Sequence, residues 1–332
     1  MTKKLWLFLV FLSLCATQVY AQCPCHEHGV DYAPMGVMGD HTHPKGHVMF
    51  SYRYQTMIMQ GLKSGWKGLS TQQGLGQYNV VPEKMNMHMH MLGMMVGMHD
   101  RVTLSLMVPF IFKRMLHQTA MGNWFTVDSQ GFGDFGASAQ IGLIKDKSTP
   151  GQLLVLNVGA TIPTHSIQPL DDTPMVSQAV LPYPMRLSSG TLDPIIGMTY
   201  TYKTSQYAVG GQLKSTLRVY DNFQNYRMGN KYQLSGWFNY GFTDIVTVSA
   251  RLTGDVQGNI KGIDSRLNPA MIPTADPQAQ GHVKFKSLLG VSIKPSPSVR
   301  VGLELGIPLV QHLQGIQLKD RLSMTFGTQL TY

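Results

Sequence analysis

Charged residues and long apolar runs are both scarce in this chain. Asp, Glu, Lys and Arg make up 14% of its 332 residues, against roughly 25% in soluble domains. Since 43% of the residues are hydrophobic, the composition excludes a disordered chain, which needs more charge and fewer apolar groups. Beyond residue 20 no window is continuously apolar over the roughly 20 residues that a spanning helix needs, which excludes a helical membrane protein. The 34 Gly, 14 Tyr and 13 Phe instead fit an all-β protein.

Cysteine is nearly absent as well. Only three are present, and Cys15 falls within residues 1–21, which have a basic start, an apolar run and a small residue at Ala21. We predict that this segment is a secretory signal, cut after Ala21. Cys23 and Cys25 are too close in sequence for an unstrained disulfide with each other, so we expect that disulfides do not stabilise this fold. Removal of the signal lowers the formal charge from +9 to +7, which is too diffuse to indicate a nucleic-acid partner.

The dominant pattern in the remaining sequence is a period-two alternation of apolar and small polar residues. It is clearest over 321–332, where Phe326, Leu330 and Tyr332 share the apolar face. A terminal amphipathic strand that ends on an aromatic residue resembles the signal that outer-membrane barrels present to the barrel-assembly machinery. We therefore predict that these three residues form the assembly signal.

About twelve such strands can be placed along the chain. Most have 10 to 16 residues, whereas strands in soluble proteins average about 5–6 and a tilted strand that crosses a bilayer needs roughly 9–11. Short connections alternate with long ones, as in barrels with periplasmic turns and extracellular loops. The sequence thus predicts an antiparallel transmembrane β-barrel with both termini on the periplasmic side. The predicted strands are 46–60, 83–98, 100–113, 132–145, 151–164, 193–203, 205–220, 229–241, 244–257, 281–294, 297–310 and 320–332.

Charged and imidazole side chains within these strands are candidates for the lumen, because a charge on the lipid face costs roughly 2–4 kcal/mol near the bilayer midplane. We also expect the long connection 165–192 to fold over or into the lumen. The lumen candidates are Lys84, His88, His90, Lys214, Arg218, Lys284 and Lys286.

Methionine is the compositional anomaly, since 15 of the 22 fall between Met35 and Met121. On a strand the four methionines of 85–91 share one face, while His88 and His90 share the other. One interpretation turns the methionines towards lipid as flexible apolar filler and the histidines towards the lumen. The other makes this stretch a path for a soft metal, since thioether and imidazole suit copper. The first is favoured, because thioethers on the lipid side could not ligate an ion in the lumen.

The segment 22–45 ahead of the first strand is dense in potential metal ligands. Thiolate, imidazole and thioether groups could chelate Cu(I), Cu(II) or Zn(II). The paired Cys-x-x-Cys arms of a folded zinc module are absent, so two interpretations stay open, a copper site and a solvated polar leader. The candidate ligands are Cys23, Cys25, His26, His28, Met35, Met38, His41, His43 and His47.

Signals for catalysis are weak. Residues 131–136 match Gly-x-Gly-x-x-Gly, but they open a strand, and no helix follows to present its N-terminus to a pyrophosphate. Acidic residues are scarce in the predicted strands, and none forms the close pair that general acid–base catalysis needs. We therefore predict that the protein is not an enzyme.

Three short motifs point to a family. Gly131-Phe-Gly-Asp-Phe-Gly-Ala-Ser-Ala, Gly159-Ala-Thr-Ile-Pro-Thr and Gly190-Thr-Leu-Asp-Pro-Ile-Ile-Gly occur in that order. They resemble elements of the outer-membrane transporter family named after the phenol meta-cleavage degradation pathway. Met38-Gly-Asp-His-Thr-His and Met107-Val-Pro-Phe resemble a Met- and His-rich branch of it.

The resemblance covers most of residues 35–332. It implies a porin-like barrel that is distantly related to channels for hydrophobic compounds. Two departures stand out. His165 follows Pro163-Thr164 where the family has Gly, and the short segment ahead of the first strand leaves little chain for the N-terminal plug of fatty-acid channels.

These observations predict three segments: a signal peptide at 1–21, a Cys/His/Met-rich periplasmic segment at 22–45 and an outer-membrane barrel at 46–332. The first functional hypothesis is a bacterial outer-membrane channel for small solutes. The alternatives are a copper-handling barrel that uses its leader and a secreted soluble β-protein. Expected partners are outer-membrane lipid, the assembly machinery and a small-molecule or metal-ion solute. No cofactor is required, copper is a possible one, and no sequence feature sets an oligomeric state.

Overall fold

The computed structural model describes residues 30–144, 151–164, 167 and 169–332. The predicted signal peptide and four of the proposed ligands, Cys23, Cys25, His26 and His28, lie outside these residues. A single short helix, α1 (Thr71–Leu75), and three 3-10 turns occur in the described part. The strands are β1 (Val48–Gly65), β2 (Lys67–Leu69), β3 (Val80–His99), β4 (Val102–Thr119), β5 (Trp124–Phe132), β6 (Phe135–Ile144), β7 (Gln152–Ile162), β8 (Leu170–Asp171), β9 (Ala179–Val180), β10 (Asp193–Lys203), β11 (Tyr207–Thr216), β12 (Tyr226–Arg227), β13 (Lys231–Gly241), β14 (Val246–Gln257), β15 (Lys261–Gly262), β16 (His282–Ser296) and β17 (Val299–Thr331).

The main sheet closes on itself, because β17 pairs with β16 on one side and with β1 on the other, all antiparallel. β17 reverses at Gly315, whose φ of +71° is a left-handed conformation that glycine adopts without strain. Its two arms lie side by side, since the N–H of Asp320 donates to Gln311 Oε1 at 2.8 Å and the N–H of Thr331 to Ser298 O at 2.9 Å.

In the part of the chain that the structure describes, the wall has eleven long strands, or twelve when the two arms of β17 are counted separately. The predicted all-β barrel of about twelve strands is therefore confirmed. The wall strands are β1, β3, β4, β6, β7, β10, β11, β13, β14, β16 and β17, with β5 continuing β6 beside β4.

The two faces of the wall differ in polarity. Large apolar side chains point outward and are exposed, such as Leu234 at 61% and Leu289 at 66%. The alternate positions point inward and are mostly polar and buried, such as Arg53, Thr199 and Asn239. This is the period-two pattern expected for a wall with lipid on one side and a polar lumen on the other. No helix among the described residues is long and apolar enough to cross a membrane.

The connections differ in length at the two ends of the barrel, as predicted. One end has short turns, such as those at 204–206 and 242–245, and the other carries the long segments 217–230 and 258–281. Two of the long connections implied by the predicted strand bounds were wrong in detail. Residues 114–131 are largely a hairpin, because β4 continues to Thr119 and β5 begins at Trp124. Residues 311–319 belong to β17, which reverses tightly at Gly315.

The last strand arm closes the barrel at the end with short turns. Tyr332 and Val48 exchange backbone hydrogen bonds of 2.8 and 3.1 Å, and the Tyr332 ring meets Phe50 edge-on at 6.5 Å. Leu330 is the register partner of Phe50, and Phe326 is that of Tyr54. All three residues of the predicted assembly signal therefore belong to the outward face at the seam of the barrel.

The register of β13 gives a test of the inner and outer faces. Leu234→Arg places a cation on the outer face and should destabilise a membrane-inserted barrel by about 2–4 kcal/mol. Gln233→Arg is the matched control, because the neighbouring side chain points inward and its register partner on β14 is Asp255. Urea unfolding in phospholipid vesicles measures both variants. Equal destabilisation by the two substitutions would contradict the assignment of faces.

Candidate functional site

The segment 30–47 does not hang outside the barrel but runs across its interior at the end with short turns. Its backbone carbonyls accept hydrogen bonds from inward-facing side chains of strands around the ring: Trp237 Nε1 to Tyr32 O at 2.9 Å, Asn239 Nδ2 to Asp31 O at 2.8 Å, Gln212 Nε2 to Met38 O at 2.8 Å, Asn157 Nδ2 to Gly39 O at 2.9 Å and Arg53 Nε to Met35 O at 3.0 Å. These contacts involve β13, β11, β7 and β1, so the segment can only lie inside.

We call residues 30–43 the crossing segment. Its position adds to the prediction of a periplasmic segment at 22–45, because residues 30–43 lie within the barrel, and it shows that even the short chain ahead of the first strand enters the lumen. The reason is length. An extended chain covers up to about 3.3–3.6 Å per residue, so the fourteen residues 30–43 can reach about 46–50 Å.

Two carboxylates anchor the crossing segment. Asp31, 3% exposed, is paired with Lys294 Nζ at 2.7 Å and Arg300 Nε at 2.8 Å. Burial raises the pKa of Asp31, but the charges of Arg300 and Lys294 outweigh that effect and hold it below its ordinary value. On the wall, Glu304 accepts two hydrogen bonds from Arg251, at 3.0 and 3.1 Å, and one from the N–H of Gly36 at 2.5 Å.

The histidines of the crossing segment lie close together. His41 Nδ1 is 3.0 Å from Asp40 Oδ1, and its ring meets that of His43 edge-on at 4.8 Å. The N–H of His43 donates to Thr103 Oγ1 at 2.8 Å, while its Nε2 is buried and has no hydrogen-bond partner among the described residues. Burial lowers the pKa of His43 to about 3, and the neighbouring His41 adds to that effect, so the imidazole is neutral at pH 7.

The five described members of the predicted metal leader do not form one conventional site. Met35 packs beside Gly302 and Gly327 on β17, whereas His43 contacts β4. Met38 and His41 border a small cavity with wall residues, and His47 adjoins β1. Among the described residues no three His, Cys, Asp or Glu side chains are grouped to hold a metal ion.

The other end of the lumen is narrowed by the described part of the long connection between β7 and β10, as expected. Lys113 Nζ donates to the carbonyls of Pro184 and Arg186 at 2.8 and 2.5 Å, and Ser129 Oγ donates to Met185 O at 2.7 Å. These donors belong to inward faces of β4 and β5. We call residues 181–191 the inner loop, since Leu181, Met185 and Leu187 are all buried.

A buried ion pair locks the inner loop to the neighbouring long segment. Arg186 and Asp264 are both fully buried and 2.8 Å apart, and the Arg186 guanidinium lies over the rings of Tyr183 and Tyr226 at 4.9 and 4.8 Å. Burial raises the pKa of Asp264, but hydrogen bonds from Arg266 and Arg186 hold it well below its usual range.

Two of the sequence motifs meet at the base of the inner loop. Asp134, from the Gly131-Phe-Gly-Asp motif, accepts hydrogen bonds from the hydroxyls of Ser188 and Ser189. Ser189 Oγ also lies 3.0 Å from Asp193 Oδ2, in the Gly190-Thr-Leu-Asp motif, and Arg218 is paired with Asp193. The sequence marked these aspartates as motif members but did not indicate that they position the inner loop.

Four of the seven lumen candidates lie on the inner face. Lys214 is next but one to Gln212, which reaches the crossing segment, and Arg218 is paired with the buried Asp193. Lys284 and Lys286 both point to Asp320, with nitrogen–oxygen distances of 2.9 and 2.7 Å.

The other three candidates, Lys84, His88 and His90, lie on the outer face, which corrects the prediction. They share parity on β3 with the exposed Leu92. Because His90 Nδ1 is 2.8 Å from Tyr52 Oη and His88 Nδ1 is 2.7 Å from Tyr54 Oη, each imidazole has a hydrogen-bond partner outside the lumen. These four side chains border a groove of about 1360 Å³ that also reaches Lys113 and Ser129.

The same register turns the methionines of 85–91 inward. Met85 is 3% exposed and Met91 8%, and Met85 packs in a buried cluster with Met185 of the inner loop. The favoured interpretation, in which these methionines face lipid as filler, is therefore wrong. Alternation correctly showed that Met and His occupy opposite faces, but polarity alone assigned the faces the wrong way round.

No protein-family model matches this chain, and no curated protein does. Among solved structures, the COG4313 outer membrane channel from Pseudomonas putida F1 is similar over 91% of this chain and 100% of that chain, with a TM-score of 0.63 and 13% identity. A FadL homologue from Pseudomonas aeruginosa is similar over 86% of this chain and 90% of that chain, with a TM-score of 0.43 and 11% identity. The likeness to the first shows that the two chains share a fold.

The buried Glu304–Arg251 pair predicts a measurable stability effect. Glu304→Gln leaves the Arg251 charge buried without its counter-ion, which should cost about 3–5 kcal/mol. Asp221→Asn is the control, because its pair with Arg227 is partly exposed and exposed pairs contribute about 0–1 kcal/mol. Urea unfolding of the detergent-solubilised barrel compares the two. An effect of Glu304→Gln below that of the control would show that the pair does not anchor the crossing segment.

Proposed function

We propose that the protein is a non-enzymatic channel for small solutes in the bacterial outer membrane. The observation that carries this proposal is the contrast between the faces of the closed wall, with aliphatic and aromatic side chains exposed outside and ion pairs inside. Each of the eleven long wall strands pairs on both sides, and a closed barrel is the only all-β arrangement that a bilayer accepts. A secreted soluble β-protein would expose this outer band to water, and soluble monomers rarely expose apolar patches beyond a few hundred Å².

Membership of the transporter family named after the phenol meta-cleavage pathway is part of the same proposal. Its support is the contact between motif residues that are far apart in sequence. Asp134 and Asp193 hold the inner loop through Ser189. The family-like motifs therefore supply residues that position the loop that narrows the lumen. The solved channel with the same fold is described as an outer membrane channel, which agrees with this role.

The crossing segment and the inner loop determine the conductance that we expect. The crossing segment spans the lumen at the short-turn end, and the inner loop fills it from the other. Eight strands leave an interior just filled by side chains, while 16 to 18 leave a water channel. A twelve-stranded wall with two inserted segments should therefore conduct weakly at rest.

Planar-bilayer recording tests this function. The intact protein should show small conductance steps in KCl, and deletion of residues 31–43 should raise the step several-fold, because the deletion removes the segment that crosses the mouth. Phe223→Ala is the control, since this side chain is 92% exposed on a long segment and should leave the conductance unchanged.

Heat-modifiable gel migration establishes that each protein used in the recordings is a folded barrel. A folded deletion variant that conducts no more than the intact protein would contradict the role of the crossing segment. The absence of any conductance from both folded proteins would overturn the channel itself.

A further inference from the structure

The inward methionines form a continuous feature of the lumen that the channel proposal does not use. They come from three adjacent wall strands, β1, β3 and β4, and from both inserted segments. We call this set the methionine track. Its members are Met38, Met49, Met57, Met59, Met85, Met87, Met89, Met91, Met95, Met107, Met115 and Met185.

At the short-turn end, the track borders a small cavity beside the crossing segment. The cavity has a volume of about 20 Å³, and about 10–15 Å³ is enough to hold one water molecule or an ion of that size. Its lining combines thioethers from the segment and the wall with one imidazole, one carboxylate and the guanidinium of Arg53, whose charge is opposite to that of the carboxylate. The ligand-bearing side chains around it are Met38, Met49, Met95, Met107, His41 and Asp40.

At the other end, four thioethers converge. Met85, Met115 and Met185 are buried in one cluster, and Met59 packs against it. Register places Met85 opposite Met59 on one side and opposite Met115 on the other, and residues directly opposite in antiparallel strands have Cβ atoms about 4.5–5.5 Å apart. A flexible thioether from each can therefore reach a shared point between them.

Between the two ends, the track continues as a ladder on β3. Met87, Met89 and Met91 succeed one another at every second residue, and Met57 lies opposite Met87. Each step along the strand is about 6.8 Å, since a strand rises about 3.4 Å per residue. Gly93 interrupts the ladder before Met95, and Met107 of β4 lies opposite this glycine. Thioethers are thus present at intervals between the inner loop and the crossing segment.

The chemistry of this lining selects among possible solutes. Thioethers are neutral, soft ligands that bind Cu(I) and similar ions and do not compete with water for hard cations. They need no deprotonation, so binding carries no proton cost of the kind that thiolates have. The ammonium of Lys113, opposite Met87 in register, and the guanidinium of Arg53, opposite Met91, place positive charge beside the track. The buried carboxylate of Asp40 offers a counter-charge at the cavity.

We propose that the methionine track binds and passes a soft monovalent cation of the Cu(I) type, with its tightest site at the cavity beside the crossing segment. This inference rests on the channel proposal, because a path has meaning only in a conducting barrel. It names the class of solute and takes Met38 and His41 of the predicted leader into a site with wall residues.

The test uses the full-length protein in detergent, with Cys23→Ser and Cys25→Ser so that thioethers and imidazoles are the soft ligands left in the mature chain. Ag(I) is the probe, because it shares the ligand preference of Cu(I) and does not change oxidation state in air. Titration by isothermal calorimetry should show binding that Met49→Leu with Met95→Leu weakens at least tenfold. Leucine keeps the apolar volume, so the fold should survive.

The matched control removes two methionines outside the track. Met98 and Met121 are 55% and 82% exposed, and their double substitution by Leu should leave Ag(I) binding unchanged. Equal weakening in control and test variants, or no Ag(I) binding by the parent protein, would overturn the proposal and identify the track as apolar filling.

Conductance in KCl separates this proposal from the one on which it rests. A Met49→Leu, Met95→Leu protein that loses Ag(I) binding but keeps its KCl conductance supports the metal site within a working channel. A parent protein that conducts KCl without binding Ag(I) refutes the metal site alone. A folded parent that binds Ag(I) but conducts no ion supports the site and refutes its role as a path.

Discussion

Every inner and outer position in this barrel depends on one register, the pairing of β1 with β17 on one side and with β3 on the other. Met49 lies opposite both Thr331 and Met95, and Arg53 opposite both Gly327 and Met91. Because side chains alternate with a period of two, a slip of one residue would turn every inward side chain of these strands outward. Closure at the seam therefore decides which chemistry the lumen offers.

Polar side chains that face the lumen hold the crossing segment and the inner loop in place. The crossing segment packs Ala33 and Val37 against Trp237 of the wall. The wall also retains it by hydrogen bonds to its carbonyls and by the ion pairs of Asp31 and Glu304. Breaking a buried pair costs more than an exposed one, because the remaining charge stays desolvated. The same device secures the inner loop through Arg186 and Asp264. Buried ion pairs therefore help to hold both the crossing segment and the inner loop inside the barrel.

Alternation and strand length predicted the barrel, most strand bounds and the layout of short and long connections, since these depend on local sequence. The faces of β3 were predicted wrongly, because His88 and His90 find partners in Tyr54 and Tyr52 on the neighbouring strand. The path of the crossing segment could not be predicted either. Its donors, from Arg53 to Trp237, are spread over most of the chain, and no local pattern connects them.

The inversion on β3 changes what the methionine content of this chain implies. Methionines facing lipid could be replaced by any apolar side chain of similar volume, because lipid demands only low polarity. In this barrel the methionines face a lumen that is otherwise rich in Lys, Arg and Asp. Their thioethers form no ion pairs with these charged side chains and are compatible with apolar neighbours. What distinguishes them from leucine there is a polarisable sulfur with lone pairs. A wall that turns its sulfur-bearing face to the lumen and its imidazoles to the outside therefore carries the donor groups that the proposed soft-ion path requires.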